Sequence, residues 1–153
     1  MADNKKFRVF LDTSALIAGI ASVKGSAREI LRLAELNIID IVVSRQVIVE
    51  ADRNIELKLH EMLADYREYI KILSPEMVND PAVEEIKKYV SVINNDDAPI
   101  LAAAELSGAD YLVTWDRAHF ISKPVKDSVQ VRVVTPGEFL SDFSEYLEKL
   151  KSD

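Results

Sequence analysis

Short apolar runs alternate with amphipathic stretches from one end of the chain to the other, the pattern of strands joined by helices. Phe7-Arg8-Val9-Phe10-Leu11 is predicted to be a strand. Ser26 with Glu29 three positions on reads as a capping box opening a helix through Ala34. Ile38 to Val43, rich in Ile and Val, is predicted to be a second strand, after which Ser44 caps a helix running through Glu50 toward Lys58. More helix follows around Met62 to Tyr69, then a short strand over Ile70 to Leu73. Asp80-Pro81 has the chemistry of an N-cap and first turn and predicts a helix through Ile86 and Tyr89. Asp97-Ala98-Pro99 repeats it, and the helix it opens is apolar on nearly every side until Gly108 stops it, so it is expected to be buried. Tyr111 to Thr114 and Val129 to Val134 are the last predicted strands. Thr135-Pro136-Gly137-Glu138 supplies a capping box and a helix-start proline for a final helix with Phe139, Phe143, Tyr146 and Leu147 on one face. Strands joined by helices give a mostly parallel sheet covered on both faces.

A chain of 153 residues is the size of one domain, so 1–153 is expected to fold as a single unit. There is no cysteine, which excludes disulfides and thiolate zinc sites and makes a cytoplasmic address the expectation. Met1 to Lys6 is polar and leads into an apolar run too short to cross a membrane, so neither a targeting nor a spanning segment is expected. The formal charge of −7 has the wrong sign for a protein that coats nucleic acid through a broad basic surface. Any contact with phosphate is then expected to be local and partly neutralised by metal.

In a parallel sheet the carboxyl ends of the strands share one rim, where open α/β folds place their sites. Asp12 ends the first strand and Asp116 ends the strand through Trp115, so both are expected there. Asp97 starts the helix leading into that strand, which puts it on the far side unless a connection crosses over. Asp12 and Glu50 each interrupt an apolar run, a costly place for a lone carboxylate. A bound divalent ion would offset that cost, and Mg²⁺ or Mn²⁺ accepts hard oxygen ligands of this kind. Taken singly, each acid also has a plainer reading: Asp12 and Asp97 as helix caps, Asp116 as a turn residue, Glu50 on a wet helical face. One shared site is more economical than four separate explanations.

The order and spacing of these acids resemble those of the PIN domain, named for the N-terminal domain of the PilT protein, over essentially the whole chain. Leu11-Asp12-Thr13-Ser14 resembles the opening motif and Glu50 the second acid. Asp97-Ala98-Pro99-Ile100-Leu101 resembles the third motif, and Gly108 to Asp116 the fourth. Asp96 offers a second candidate beside Asp97, but the spacing to Ile100 and Ala104 favours Asp97. The resemblance implies a three-layer α/β/α sandwich whose chain order does bring Asp97 to the site. It implies Mg²⁺- or Mn²⁺-dependent cleavage of RNA, often by the toxin of a toxin–antitoxin pair and often as a homodimer. It makes Asp12, Glu50, Asp97 and Asp116 the metal-binding and catalytic set, with Ser14 and Thr114 as supporting hydroxyls.

Two other classes compete with a ribonuclease. A catalytically weak PIN module serving as an RNA-binding or protein-interaction scaffold would have no need to keep like charges together. A phosphoacceptor domain using Asp12 would need a lysine at the rim, and no strand end carries one. Arg117 and His119, just after Asp116, are expected at the surface, or else touching phosphate, and neither His119 nor His60, which sits in a charged helical stretch, is expected to be catalytic. Trp115 is expected in the core more than at the mouth of a site. Lys24, Arg28, Arg45, Arg53 and Lys58 are expected mostly on a solvated face, or else framing an RNA groove.

Overall fold

In a computed structural model describing residues 5–152, five parallel strands form one sheet in the order β3-β2-β1-β4-β5. The strands are β1 (Arg8–Leu11), β2 (Asp40–Ser44), β3 (Glu76–Val78), β4 (Tyr111–Val113) and β5 (Arg132–Val134). Between them run α1 (Thr13–Ala21), α2 (Ser26–Glu35), α3 (Arg45–Lys58), α4 (Leu63–Leu73), the short α5 (Val83–Ile86), α6 (Ala98–Leu106) and α7 (Lys123–Ser128). α8 (Pro136–Ser152) follows β5. The chain steps outward from β1 through β2 to β3, then returns across the sheet to β4. Right-handed crossovers therefore place α1 to α4 on one face and α6 on the other. α8 packs beside α2 and completes the first helical layer. The result is the expected α/β/α sandwich.

β1 is covered on both sides, which is why Val9, Phe10 and Leu11 are all apolar and no more than 2% exposed. α6 is buried from Ile100 to Ala104, and its run of alanines lets it lie close against the sheet. Where α1 packs on α2, Gly19 is needed. A Cβ there would lie 2.7 Å from Cδ1 of Leu31 and 3.1 Å from the carbonyl oxygen of Ala27. Leu31 is fully buried and has nowhere to swing. Gly19→Ala is expected to destabilise by about 1–3 kcal/mol, read as a lower melting temperature; an unchanged melt would mean that the two helices are free to separate.

Several local expectations are corrected. Ile70 to Leu73 is not a strand but the last turn of α4, whose inward residues Tyr66, Tyr69, Ile70 and Leu73 follow helical spacing. The helix ends at Ser74 in the left-handed conformation (φ 47°), and the strand comes after it, at Glu76–Val78. β3 is an edge strand with Glu76 and Met77 exposed, so it carries no apolar run to announce it. The Ser26–Glu29 capping box does not form: Gly25 holds the N-cap position and Glu29 pairs with Arg32. Asp80 is not a helix cap either. It accepts a hydrogen bond from the backbone N–H of Gln46 at 2.9 Å, while α5 starts at Val83 and tightens into a 3₁₀ turn at Lys87–Tyr89. Two caps do form as expected. Ser44 accepts from the N–H of Val47, and Thr135 and Glu138 bond reciprocally to each other's backbone. None of the described helices is long and apolar enough to cross a membrane.

Candidate metal centre

The sheet reverses its strand order between β1 and β4, and parallel sheets open a crevice at such a switch point, outside the carboxyl ends of the strands. Asp12 follows β1 directly and Asp116 lies just beyond β4, so the two acids flank that crevice. α6 runs antiparallel to β1. Its last turn sits at the foot of the strand, where the Ser107 carbonyl accepts from Arg8 at 2.6 Å, so its first residue, Asp97, reaches the upper rim. The expectation that a helix start lies on the far side is therefore wrong: a helix antiparallel to its strands begins where they end. α3 brings Glu50. All four acids line one open cavity of about 560 Å³, whose wall also includes Arg53, Lys58 and the buried ring of Phe120.

Asp12 is 3% exposed and fully hydrogen-bonded. Its Oδ1 accepts from the Ser14 hydroxyl at 2.8 Å and from the Ala15 N–H at 2.9 Å, and its Oδ2 accepts a short bond from the Thr114 hydroxyl. The second bond makes Asp12 the N-cap of α1, so the plainer reading of this residue holds beside the functional one. Burial nevertheless pushes its carboxyl up to about 6, more than the three donors pull it down, and Asp116 adds repulsion. Thr114 Oγ1 also accepts from the N–H of Asp116 at 2.9 Å, and Ser14 Oγ accepts from the N–H of Trp115 at 3.0 Å. These two hydroxyls lock the Asp12 loop to the Asp116 loop.

Glu50 has both oxygens held, one by the Thr13 hydroxyl at 2.8 Å and the other by the Gln46 amide at 3.1 Å. Gln46 also donates to the carbonyl of Asp96, tying α3 to the turn before α6. Asp97 occupies the N-cap position of α6 without capping it: its backbone is helical (φ −94°, ψ −20°) and no N–H of the helix reaches its carboxylate. Instead it accepts from the Asn94 amide at 2.6 Å, and Asn94 Oδ1 receives the N–H groups of Asp96 and Asp97. Burial raises the Asp97 carboxyl above its ordinary value, Asn94 partly offsets this, and Asp116 adds to it. Asp96 is exposed and turned outward, so Asp97 is the acid of the pair at the site.

Among the described residues no lysine or arginine forms an ion pair with any of the four acids. Among the described residues the one basic partner is His119, charged only when protonated, whose Nδ1 lies 2.9 Å from Asp116 Oδ2 and whose ring pKa is raised by that contact. Ligand atoms of Asp97, Asp116 and His119 all fall within 4.8 Å of one another. Carboxylates gathered without a lysine or arginine paired to them among the described residues, two of them with raised pKa, fit a divalent cation of hard or borderline character. His119 is exposed, as expected, and its ring bonds to Asp116 at the site. Trp115, expected in the core, is 42% exposed beside the site because β4 ends before it.

Thr13, Gln46 and Asn94 escaped sequence reasoning. Gln46 stands one helical turn before Glu50 and Asn94 three residues before Asp97, spacings that could have flagged both. Nothing local connects Thr13 with Glu50, 37 positions away.

Residues 8–118 match the PIN domain family. Among solved structures, the chain resembles VapBC2 from Rickettsia felis bound to a DNA fragment from its promoter. The identity is 18%, 84% of this chain and 97% of that one are covered, and the TM-score is 0.59. A toxin–antitoxin complex from Klebsiella pneumoniae is similar at 20% identity over 84% of this chain and 97% of that one, with a TM-score of 0.58. VapC20 from Mycobacterium tuberculosis, a sarcin–ricin-loop-cleaving toxin, is similar at 16% identity over 72% and 91%, with a TM-score of 0.53. No curated protein matches the sequence.

Proposed function

Since the chain belongs to the PIN domain family, we propose that it is a metal-dependent endoribonuclease whose metal-binding and catalytic residues are Asp12, Glu50, Asp97 and Asp116. The observation that carries this reading is the convergence of four acids on one rim crevice with no lysine or arginine paired to any of them. The ion would be Mg²⁺ or Mn²⁺. When bound, it supplies positive charge to the scissile phosphate and makes water a stronger acid near neutral pH.

The protein's own groups supply the rest. Asp12, fixed by Ser14, Ala15 and Thr114, is a rigid ligand that cannot rotate away from the crevice. Asp97 and Asp116 face it from the other side of the switch point. Glu50, held at both oxygens, is placed to take the proton from the attacking water. Arg53 and Lys58 on the wall of the cavity attract the phosphate chain locally, which reconciles an acidic protein with a polyanionic substrate. The exposed Trp115 ring offers a face on which a base can stack.

The toxin–antitoxin complexes among the structural relatives support an antitoxin as partner, and the relative that cleaves the sarcin–ricin loop supports RNA as substrate. The reading extends to one domain over 1–153, a homodimer and a cytoplasmic address. It is tested by incubating the protein with end-labelled single-stranded RNA and DNA of the same sequence in Mn²⁺ and analysing the products. RNA cut to 5′-phosphate and 3′-hydroxyl ends is expected if water attacks phosphorus and the P–O3′ bond breaks, the 3′-oxygen leaving as the hydroxyl. Ends carrying a 2′,3′-cyclic phosphate would overturn the water mechanism, and cutting of DNA alone would overturn the substrate.

The grip on Glu50 has its own consequence. Thr13→Val is expected to lower kcat about 10-fold or more with a smaller change in KM, and Thr13→Ser to keep most of the activity. Equal activity in all three would show that Gln46 alone suffices to aim Glu50.

A further inference from the structure

We propose that His119 is a metal ligand through Nδ1, joining Asp97 and Asp116, and that it makes the site select a first-row transition ion such as Mn²⁺ over Mg²⁺. This rests on the nuclease reading only for the presence of a divalent ion in the crevice. A set of four carboxylates offers oxygen alone and gives no reason to discriminate against Mg²⁺. An imidazole nitrogen changes that, because Mg²⁺ strongly prefers oxygen whereas nitrogen is bound better from Mn²⁺ onward, increasingly as far as Cu²⁺.

The geometry fits coordination. Adjacent ligands of an octahedral ion with bonds near 2.1 Å stand about 3 Å apart. His119 Nδ1 lies 3.1 Å and 2.9 Å from the two carboxylate oxygens of Asp116, and a ligand atom of Asp97 completes a trio within 4.8 Å. A small closing movement of Asp97 would put three donors on one face of such an ion. Binding through Nδ1 would require that nitrogen to give up any hydrogen it now shares with Asp116.

The ring is also held where it is needed. The backbone N–H of His119 bonds to Asp116 Oδ1 at 3.1 Å, and the N–H of Phe120 bonds to the Asp116 carbonyl at 3.1 Å. Phe120 is 1% exposed and sits in the wall of the same cavity, so the turn carrying His119 is anchored to the core on its far side. His119 itself is exposed. A histidine kept only for a surface ion pair would leave the metal preference of the site unaffected by its removal.

The test uses the whole chain and reads binding and not activity. Mn²⁺ is titrated into wild type and His119→Ala by electron paramagnetic resonance, with pulsed detection of ¹⁴N coupling, and Mg²⁺ is measured by competition. Imidazole nitrogen coupling is expected in wild type and its loss in His119→Ala. Mn²⁺ affinity is expected to fall at least 10-fold in the variant while Mg²⁺ affinity changes less than about 3-fold. Tight Mn²⁺ binding without histidine coupling, at equal affinity in both proteins, would overturn His119 as a ligand and leave an all-oxygen nuclease site standing. Failure of wild type to bind either ion would overturn the inference together with the nuclease reading.

Discussion

Metal-free Asp12→Asn is expected to melt above wild type at pH 7, to match it near pH 4, and to have lost at least a hundredfold in activity with Mn²⁺. The stability effect comes from burial. Burial pushes the Asp12 carboxyl up to about 6 in the folded chain, against 3.8 for an exposed aspartate. Between those values the folded chain holds a proton that the unfolded chain has released, so stability falls as pH rises through about 4 to 6. Two units correspond to about 3 kcal/mol as an upper limit. Asparagine removes the charge, keeps an oxygen to cap α1, and donates toward Thr114 where the carboxylate accepted. It thereby removes both the penalty and its pH dependence. Mn²⁺ should offset the same penalty in wild type, raising its melting temperature more at pH 7 than at pH 5. Asp12→Asn less stable than wild type at pH 7 without metal would show that the three donors outweigh burial and leave no penalty for a metal to offset.

Asp97→Asn is expected to lower activity by a factor of at least a thousand, while Asp97→Ala costs no more than a few tenths of a kcal/mol in metal-free stability. A true N-cap aspartate replaced by alanine would cost about 1 kcal/mol. Asp97 does not do that work: its carboxylate bonds to the Asn94 amide, and it is Asn94 that satisfies the two N–H groups before the helix. The loss therefore belongs at Asn94, whose replacement by alanine should lower the melting temperature where Asp97→Ala does not. Chemical denaturation of the two variants checks this, and a loss above 1 kcal/mol in Asp97→Ala would make it a structural residue.

The sequence was most legible where burial is complete. β1 and α6 are covered on all sides, and their unbroken apolar runs were read correctly as a strand and a buried helix. The acids stood out for the same reason, since Asp12 is a charge in the middle of such a run. β3 was misplaced because an edge strand of three residues needs no apolar signature, whereas in the apolar run just before it Ile70 and Leu73 belong to the inward side of α4 and Ile72 is exposed. α1 was anticipated only through the plainer reading of Asp12 as a helix cap. It is apolar on almost every side and starts one residue after β1, so neither period nor boundary marks it. Asp97 was assigned to the site only through the family resemblance, although antiparallel packing of helix on strand would have put it there unaided. The contacts between Thr13 and Glu50 and between Thr114 and Asp12 join residues far apart in sequence, and only the folded sheet brings them together.

The most direct measurement is cleavage of a labelled mixed-sequence single-stranded RNA by wild type in Mn²⁺, in Mn²⁺ with excess chelator, and by Asp97→Asn in Mn²⁺. Cutting in the first reaction alone is expected if the four acids form one metal-dependent site. Cutting that survives the chelator, or that Asp97→Asn retains undiminished, would contradict it.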